Sequence, residues 1–135
     1  MKFVLDTNVL LSGLMAPEGT PGRILAAWFE ARFDVAMSLE QLAEVGRALC
    51  YPKIHRKLKW DEQRIEQFIR QLYIRAEVVD LRSTSIEVPR DPQDTPILAT
   101  LVASGADALV SGGRDLLELR GKYPIQTPAE FVRRL

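Results

Sequence analysis

The stretch Lys2-Phe3-Val4-Leu5-Asp6-Thr7-Asn8, residues 2–8, decides the fold class. A short apolar run opens the chain and stops abruptly at an acid. Such a run suits a strand buried on both faces of a parallel sheet. Residues 8–15 then read as a helix, so the chain begins as strand, acid, helix. The same alternation continues outward, which is the pattern of an α/β fold.

Gly19, Thr20, Pro21 and Gly22 punctuate the chain, with Thr20 as an N-cap and Pro21 as the first helical residue. Ile24, Leu25, Trp28 and Phe29 make one face of the helix that follows. Residues 33–37 form a candidate second strand. Ser38 can cap the next helix, in which Leu42, Val45, Gly46 and Leu49 share a face. Tyr51-Pro52 ends it, and 53–60 is short, basic and helical. Asp61 caps the clearest helix, where Ile65, Phe68, Ile69, Leu72 and Tyr73 recur at helical spacing. Residues 77–81 read as a third strand and 82–90 as a loop. The helix after it is capped either by Asp91 with Pro92 next or by Thr95 with Pro96 next, and Gly105 stops it at a C′ position. A fourth strand at 108–110, a short helix at 115–119, an edge strand at Ile125 and a final helix from Pro128 to Leu135 complete the order.

In open α/β sheets, ligands bind outside the carboxyl ends of the strands. Asp6 ends the first strand, and Asp115 follows the fourth across a Gly-Gly turn. Asp94 precedes Ile97 and Leu98 by three and four positions, so it shares their inward face. An inward carboxylate has to be paired, capped or metal-bound. Asp6 and Asp94 therefore each have two readings, helix cap or ligand. Thr7 and Asn8 are placed to orient the Asp6 carboxylate. Glu44 lies opposite the Leu42/Val45/Leu49 face, beside Glu40 and Arg47; it reads as a surface glutamate unless that side lines a cleft. Converging Asp and Glu oxygens, with a single Cys and a single His in the chain, suit a hard cation, Mg²⁺ or Mn²⁺, rather than zinc. The matching chemistry is metal-assisted hydrolysis of a phosphodiester.

Composition narrows the partners. The chain has 135 residues, one domain's worth, and we take 1–135 as a single domain. Hydrophobic residues are 47% and charged residues 27%, which excludes a disordered tail, a collagen and a coiled coil. No apolar run approaches the ~18–20 residues that span a bilayer. The acid at position 6 comes too early for a signal peptide, so the expected compartment is the cytoplasm, with no membrane contact. Cys50 is alone and reads as a small buried hydrophobe. Eighteen basic and eighteen acidic side chains cancel, so any nucleic-acid affinity has to be local. The candidate patch is Lys53, His55, Arg56, Lys57 and Lys59, with Lys53, Arg56 and Lys57 as phosphate contacts and Arg133 and Arg134 at its far end. Tyr51 and Trp60 flank the run as candidate base-stacking residues, although Trp60 reads equally as a core anchor.

The ordered series of motifs is similar to that of the PIN-domain family, especially the VapC-like toxins of bacterial and archaeal toxin–antitoxin pairs. The matching pieces are Phe3-Val4-Leu5-Asp6-Thr7-Asn8-Val9-Leu10, Ser38-Leu39-Glu40-Gln41-Leu42-Ala43-Glu44-Val45 and Arg90-Asp91-Pro92-Gln93-Asp94. They continue with Ala106-Asp107-Ala108-Leu109-Val110-Ser111-Gly112-Gly113-Arg114-Asp115-Leu116-Leu117 and end with Tyr123-Pro124-Ile125-Gln126-Thr127-Pro128-Ala129-Glu130-Phe131. The resemblance implies a three-layer α/β/α sandwich around a mainly parallel sheet. It also implies a Mg²⁺- or Mn²⁺-dependent endoribonuclease, with an antitoxin as partner and a homodimer as the assembly. The helix carrying Ile65, Phe68 and Leu72 is a candidate contributor to such a dimer.

Carried over by position, Asp6, Glu44 and Asp94 match three acids of the family's catalytic and metal-binding cluster, Glu44 acting directly or through water. Ser111 belongs with Thr7 and Asn8 as a group supporting those acids. The last motif departs, because Gly113 stands where the group usually has an acid. Asp115, two residues on, matches a second acid of that motif and is the remaining candidate. Thr95 replaces another acid frequent in the neighbouring group. Haloacid-dehalogenase-like phosphatases also begin with a strand ending in Asp, but they need a second Asp at the position of Asn8. The alternative from a different class is a degenerate PIN-like domain that binds RNA or a protein partner without cutting.

Overall fold

The computed structural model describes residues 1–82 and 94–135. The expected loop at 83–90, the Arg90–Gln93 part of the third motif and the Asp91-Pro92 cap lie outside the described residues. Five strands form a single sheet: β1 (Lys2–Leu5), β2 (Asp34–Ser38), β3 (Glu77–Val79), β4 (Ala108–Val110) and β5 (Ile125–Gln126), in the order β3-β2-β1-β4-β5. Every pairing is parallel. The described helices are α1 (Thr7–Met15), α2 (Thr20–Phe29), α3 (Leu39–Ala48), α4 (Pro52–Leu58), α5 (Glu62–Arg75), α6 (Thr95–Ser104), α7 (Arg114–Leu117) and α8 (Pro128–Val132). This is a PIN-like α/β/α sandwich, as the resemblance implies.

Strand alternation divides the core. Phe3, Leu5, Val35, Met37 and Val110 point to one face, against α1 to α5 and α8. Val4, Ala36 and Leu109 point to the other, where Ile97, Leu98 and Leu101 of α6 and Leu116 of α7 cover them. Both faces are dry, which is why these strands read as continuous apolar runs rather than alternating ones.

The local punctuation behaves as the residue chemistry dictates. The Ser38 hydroxyl accepts from the Gln41 N–H at 3.0 Å, and the Asp61 carboxylate from the Arg64 N–H at 2.8 Å. Gly105 sits at φ 65° after α6, a conformation in which a Cβ is strained. Thr127 and Glu130 close a reciprocal capping box at the start of α8.

Some expectations need correction. Thr20 is already inside α2; Gly19 takes its N-cap position. Thr95 is already inside α6, whose N-cap position Asp94 takes. Tyr73 does not join the buried side of α5. Phe68 and Leu72 fill the core, while Tyr73 and Ile74 are 56% and 74% exposed. The helical stripe thus serves packing, and any association surface on α5 is the opposite side. Cys50 is exposed, its thiol 3.6 Å from the Gly46 carbonyl oxygen. The turn at the end of α3 carries it outside the face that buries Leu49.

Candidate active site

The strand order reverses between β1 and β4. The chain builds outward from β1 through β2 and β3, then crosses to β4 on the other side. A crevice opens at such a switch point beyond the carboxyl ends of the strands. Leu5 pairs with Val110 in register, and the Asp6 N–H extends the ladder to the Val110 carbonyl at 2.9 Å. Asp6 and Ser111 are therefore the next residues on adjacent strands, and the Ser111 hydroxyl donates to Asp6 Oδ2 at 2.7 Å.

Asp6 occupies the N-cap position of α1, yet its side chain makes no capping bond. Its carboxylate turns to Ser111 instead. Burial pushes the Asp6 carboxyl above its ordinary range; the Ser111 hydroxyl and the Thr7 backbone N–H pull the other way, and the negative charge of Glu44 adds to the rise. The Asp6 charge is thus held in a desolvated place, although part of the residue stays open to the cleft. Among the described residues no ion pair neutralises it.

The cleft above Asp6 has a volume of about 940 Å³. Asp6, Glu44, Asp94 and Asp115 all line it, together with Thr7 and Asn8. These acids come from four separate segments: the end of β1, the middle of α3, the start of α6 and the first turn of α7. Asp94 takes the N-cap position of α6, and its side chain makes no capping hydrogen bond. Glu44 is exposed, as its place opposite the apolar face requires, but the side it shares with Glu40 and Arg47 faces the cleft. Ser111 is buried behind Asp6, and its hydroxyl also accepts the Gly113 N–H at 3.0 Å.

Gly113 stands at the mouth of this group. Its φ is −72°, open to any residue. A Cβ built there falls 3.9 Å from Asp6 Oδ2 and 3.3 Å from the Ser111 hydroxyl oxygen. Whatever side chain occupied position 113 would therefore meet the Asp6 carboxylate.

The residues fit a hard divalent ion by donor chemistry. The cleft offers anionic oxygens with neither Cys nor His, and the buried Asp6 carboxylate, with Glu44 adding a like charge, is a charge that a cation would stabilise. Among the described residues, no three acids or imidazoles converge closely enough to enclose an ion as they stand. Mg²⁺ does not need that many; it keeps several waters and is typically held through one or two carboxylates.

Gln41 was not singled out by sequence reasoning. It is only 4% exposed, and its Nε2 donates to the Leu5 carbonyl at 2.6 Å, with a longer approach of 3.5 Å to the Thr7 hydroxyl. That bond ties α3, and so Glu44, to the end of β1, and so to Asp6. The available signal was an amide four residues before Val45, on the buried side of α3. Arg114 also lines the cleft without having been proposed.

The basic run is placed less directly. Lys53, His55, Arg56 and Lys57 are exposed on α4, anchored by buried Ile54, and none of them lines the cleft. Arg134 lies elsewhere, with its guanidinium 5.2 Å from the Phe3 ring and near the Met1 sulfur. That is the amino end of β1, the end opposite Asp6. Trp60 packs on Phe68 with ring centroids 5.3 Å apart and has the Arg64 guanidinium 4.4 Å from its own centroid. It is a core anchor, and its ring is already engaged.

The PIN-domain profile matches residues 2–115. An uncharacterized protein of Methanocaldococcus jannaschii is 32% identical, over 98% of this chain and 90% of its own length. Among solved structures, a chain of the crystal structure of VapBC2 from Rickettsia felis, bound to a DNA fragment from their promoter, superimposes with a TM-score of 0.61. The two are 14% identical, over 94% of this chain and 98% of that one.

Proposed function

The chain belongs to the PIN-domain family, and from that premise we propose that it is a metal-dependent endoribonuclease, the toxin of a toxin–antitoxin pair, acting as one domain over residues 1–135. PIN domains are generally nucleases. The single observation that carries the reading is the convergence of Asp6, Glu44, Asp94 and Asp115 on one cleft at the switch point. Asp6 and Asp94 are the proposed direct metal ligands, with Glu44 direct or through water and Asp115 completing the set. A Mg²⁺ or Mn²⁺ ion bound there supplies an acidified water and charge stabilisation for phosphodiester hydrolysis. The chain's own part is positional. Ser111 and the Thr7 N–H hold the Asp6 carboxylate, Asn8 borders it, and Gln41 fixes α3 against β1. Cleavage of a single-stranded RNA in Mg²⁺ or Mn²⁺, lost on adding EDTA, tests the reading; cleavage that survives EDTA contradicts it.

An antitoxin and a second copy of the chain are the proposed protein partners, supported by the exposed Tyr73 and Ile74 of α5. No helix among the described residues is long and apolar enough to cross a membrane; the proposed site of action is the cytoplasm.

Ser111→Ala should weaken Mn²⁺ binding by about ten- to a hundredfold, the usual cost of losing a group that orients a ligand. Calorimetric titration reads this directly, and an unchanged affinity removes Ser111 from the site.

Position 113 keeps a second reading in play, binding without cleavage, because Gly113 adds no oxygen where the family usually has one. Gly113→Asp should settle which holds. Aspartate is a good N-cap and the backbone angle is permissive, so the variant should fold. Without metal, a second carboxylate facing Asp6 should lower the melting temperature by like-charge repulsion. With Mn²⁺ it should bind about tenfold tighter and cleave faster at low metal, since affinity follows ligand charge. A wild type that never cleaves while Gly113→Asp does supports the binding-only reading. A variant with unchanged metal affinity places residue 113 outside the site.

Replacing Lys53, Arg56 and Lys57 together by Gln should weaken RNA binding and flatten the slope of log affinity against log salt by about 0.7 per lost phosphate contact on a single strand. An unchanged slope of log affinity against log salt makes α4 a solvated surface only.

A further inference from the structure

The cleft side of α3 changes character along its length. Glu40 and Glu44 give way one turn later to Arg47, and the chain then delivers Tyr51 to the same cleft. The turns after α3 keep the chain winding, through the Cys50 N–H to the Arg47 carbonyl and the Tyr51 N–H to the Ala48 carbonyl, each at 3.0 Å. Glu44 and Tyr51 are thereby separated by roughly 10 Å along a helical path, within reach of a nucleotide neighbouring the one whose phosphate meets the acids. Arg47 is exposed, and among the described residues no ion pair holds it. Tyr51 is 55% exposed, with no aromatic neighbour among the described rings. The next residue, Pro52, begins the basic helix α4.

An isolated exposed tyrosine needs no explanation by itself. Here, however, Tyr51 lines the carboxylate cleft, follows Arg47 of α3 and precedes a row of cations. Aromatic faces bordered by Lys and Arg are how proteins hold unpaired bases and their phosphates. Trp60, the other aromatic of this region, is taken up by Phe68 and Arg64.

We propose that Tyr51 is a base-stacking residue and Arg47 its phosphate contact. Together they hold the nucleotide next to the cleaved linkage and lead the strand from the cleft onto α4. This rests on the nuclease reading for the identity of the ligand. A base stacks on an aromatic face only when it is not paired within a duplex, so the device also selects an unpaired strand.

The test uses the full chain and a fluorescent single-stranded RNA of mixed sequence, with binding measured in EDTA so that metal-dependent cleavage does not enter. Tyr51→Ala should weaken binding about 5- to 150-fold, the effect of losing one stacked base, while Tyr51→Phe stays near wild type. An oligomer with abasic positions should bind wild type and Tyr51→Ala equally. Arg47→Gln should lower the salt slope by about 0.7 for one lost phosphate contact on a single strand. Equal binding of the mixed RNA by wild type and Tyr51→Ala overturns the proposal, as does a wild type that does not bind RNA. RNA cleavage by a protein indifferent to Tyr51→Ala defeats this proposal and leaves the nuclease reading standing. Tyr51-dependent binding without cleavage in Mn²⁺ does the reverse.

Discussion

Asp6→Asn is expected to reduce RNA cleavage by about a hundred- to a thousandfold while leaving the fold intact. The amide keeps an oxygen for the Ser111 hydroxyl, which donates at 2.7 Å in the wild type, so the end of β1 should keep its geometry. The negative charge at the centre of the cleft is lost. Charge stabilisation by a bound ion is worth several kcal/mol in a transition state, and each 1.36 kcal/mol is tenfold in rate. Stability should move the opposite way. Burial raises the Asp6 carboxyl above its ordinary value of 3.8, so the folded state holds that proton more tightly than the unfolded chain. As pH rises from 3.8 through the raised value, this group lowers stability, and above that value its full cost is present. In EDTA at neutral pH the variant should therefore melt a few degrees higher than wild type, and the gap should close as pH falls toward 3.8. A variant that melts lower in EDTA and also loses cleavage has been unfolded rather than disarmed. One that cleaves at the wild-type rate shows that Asp6 is not in the chemistry.

What could be read from the sequence was local. Ser38, Asp61 and Gly105 act within a turn of where they stand, so residue type marks these helix ends, whereas at α2 and α6 it missed the N-cap by one residue. The apolar strands were legible because both faces of the sheet are covered. The site was legible in part for the same reason, since Asp6 directly ends a recognisable strand. Glu44 was not, because periodicity gives a helix face but does not say what the face looks onto. Its partner Asp6 lies across the β1–α3 contact that Gln41 makes. The Asp6–Ser111 bond joins residues 105 apart and depends on the register between β1 and β4, which no local pattern encodes. Tyr73 was misplaced because it lies about 100° around α5 from the buried Leu72, on the flank of the stripe that solvent reaches.

Asp94 carries the largest consequence for metal binding. It enters the cleft from the start of α6, which packs on the face of the sheet opposite α1 and α3, whereas Glu44 comes from α3 on the other face. Asp6 and Asp94, which would hold the ion, thus come from two layers of the sandwich. Asparagine at 94 retains the size of aspartate, and the Asp94 side chain makes no capping hydrogen bond for the change to break, so α6 should still start at residue 95. Its removal of one anionic oxygen should cost at least about a hundredfold in affinity, more than losing a group that merely orients a ligand. The most direct measurement is calorimetric titration of Mn²⁺ into the wild type and Asp94→Asn, with circular dichroism to show that both are folded. The account predicts saturable binding to the wild type and none in the same concentration range for Asp94→Asn. Equal Mn²⁺ affinity in the two folded proteins, or a wild type that binds no Mn²⁺, would contradict it.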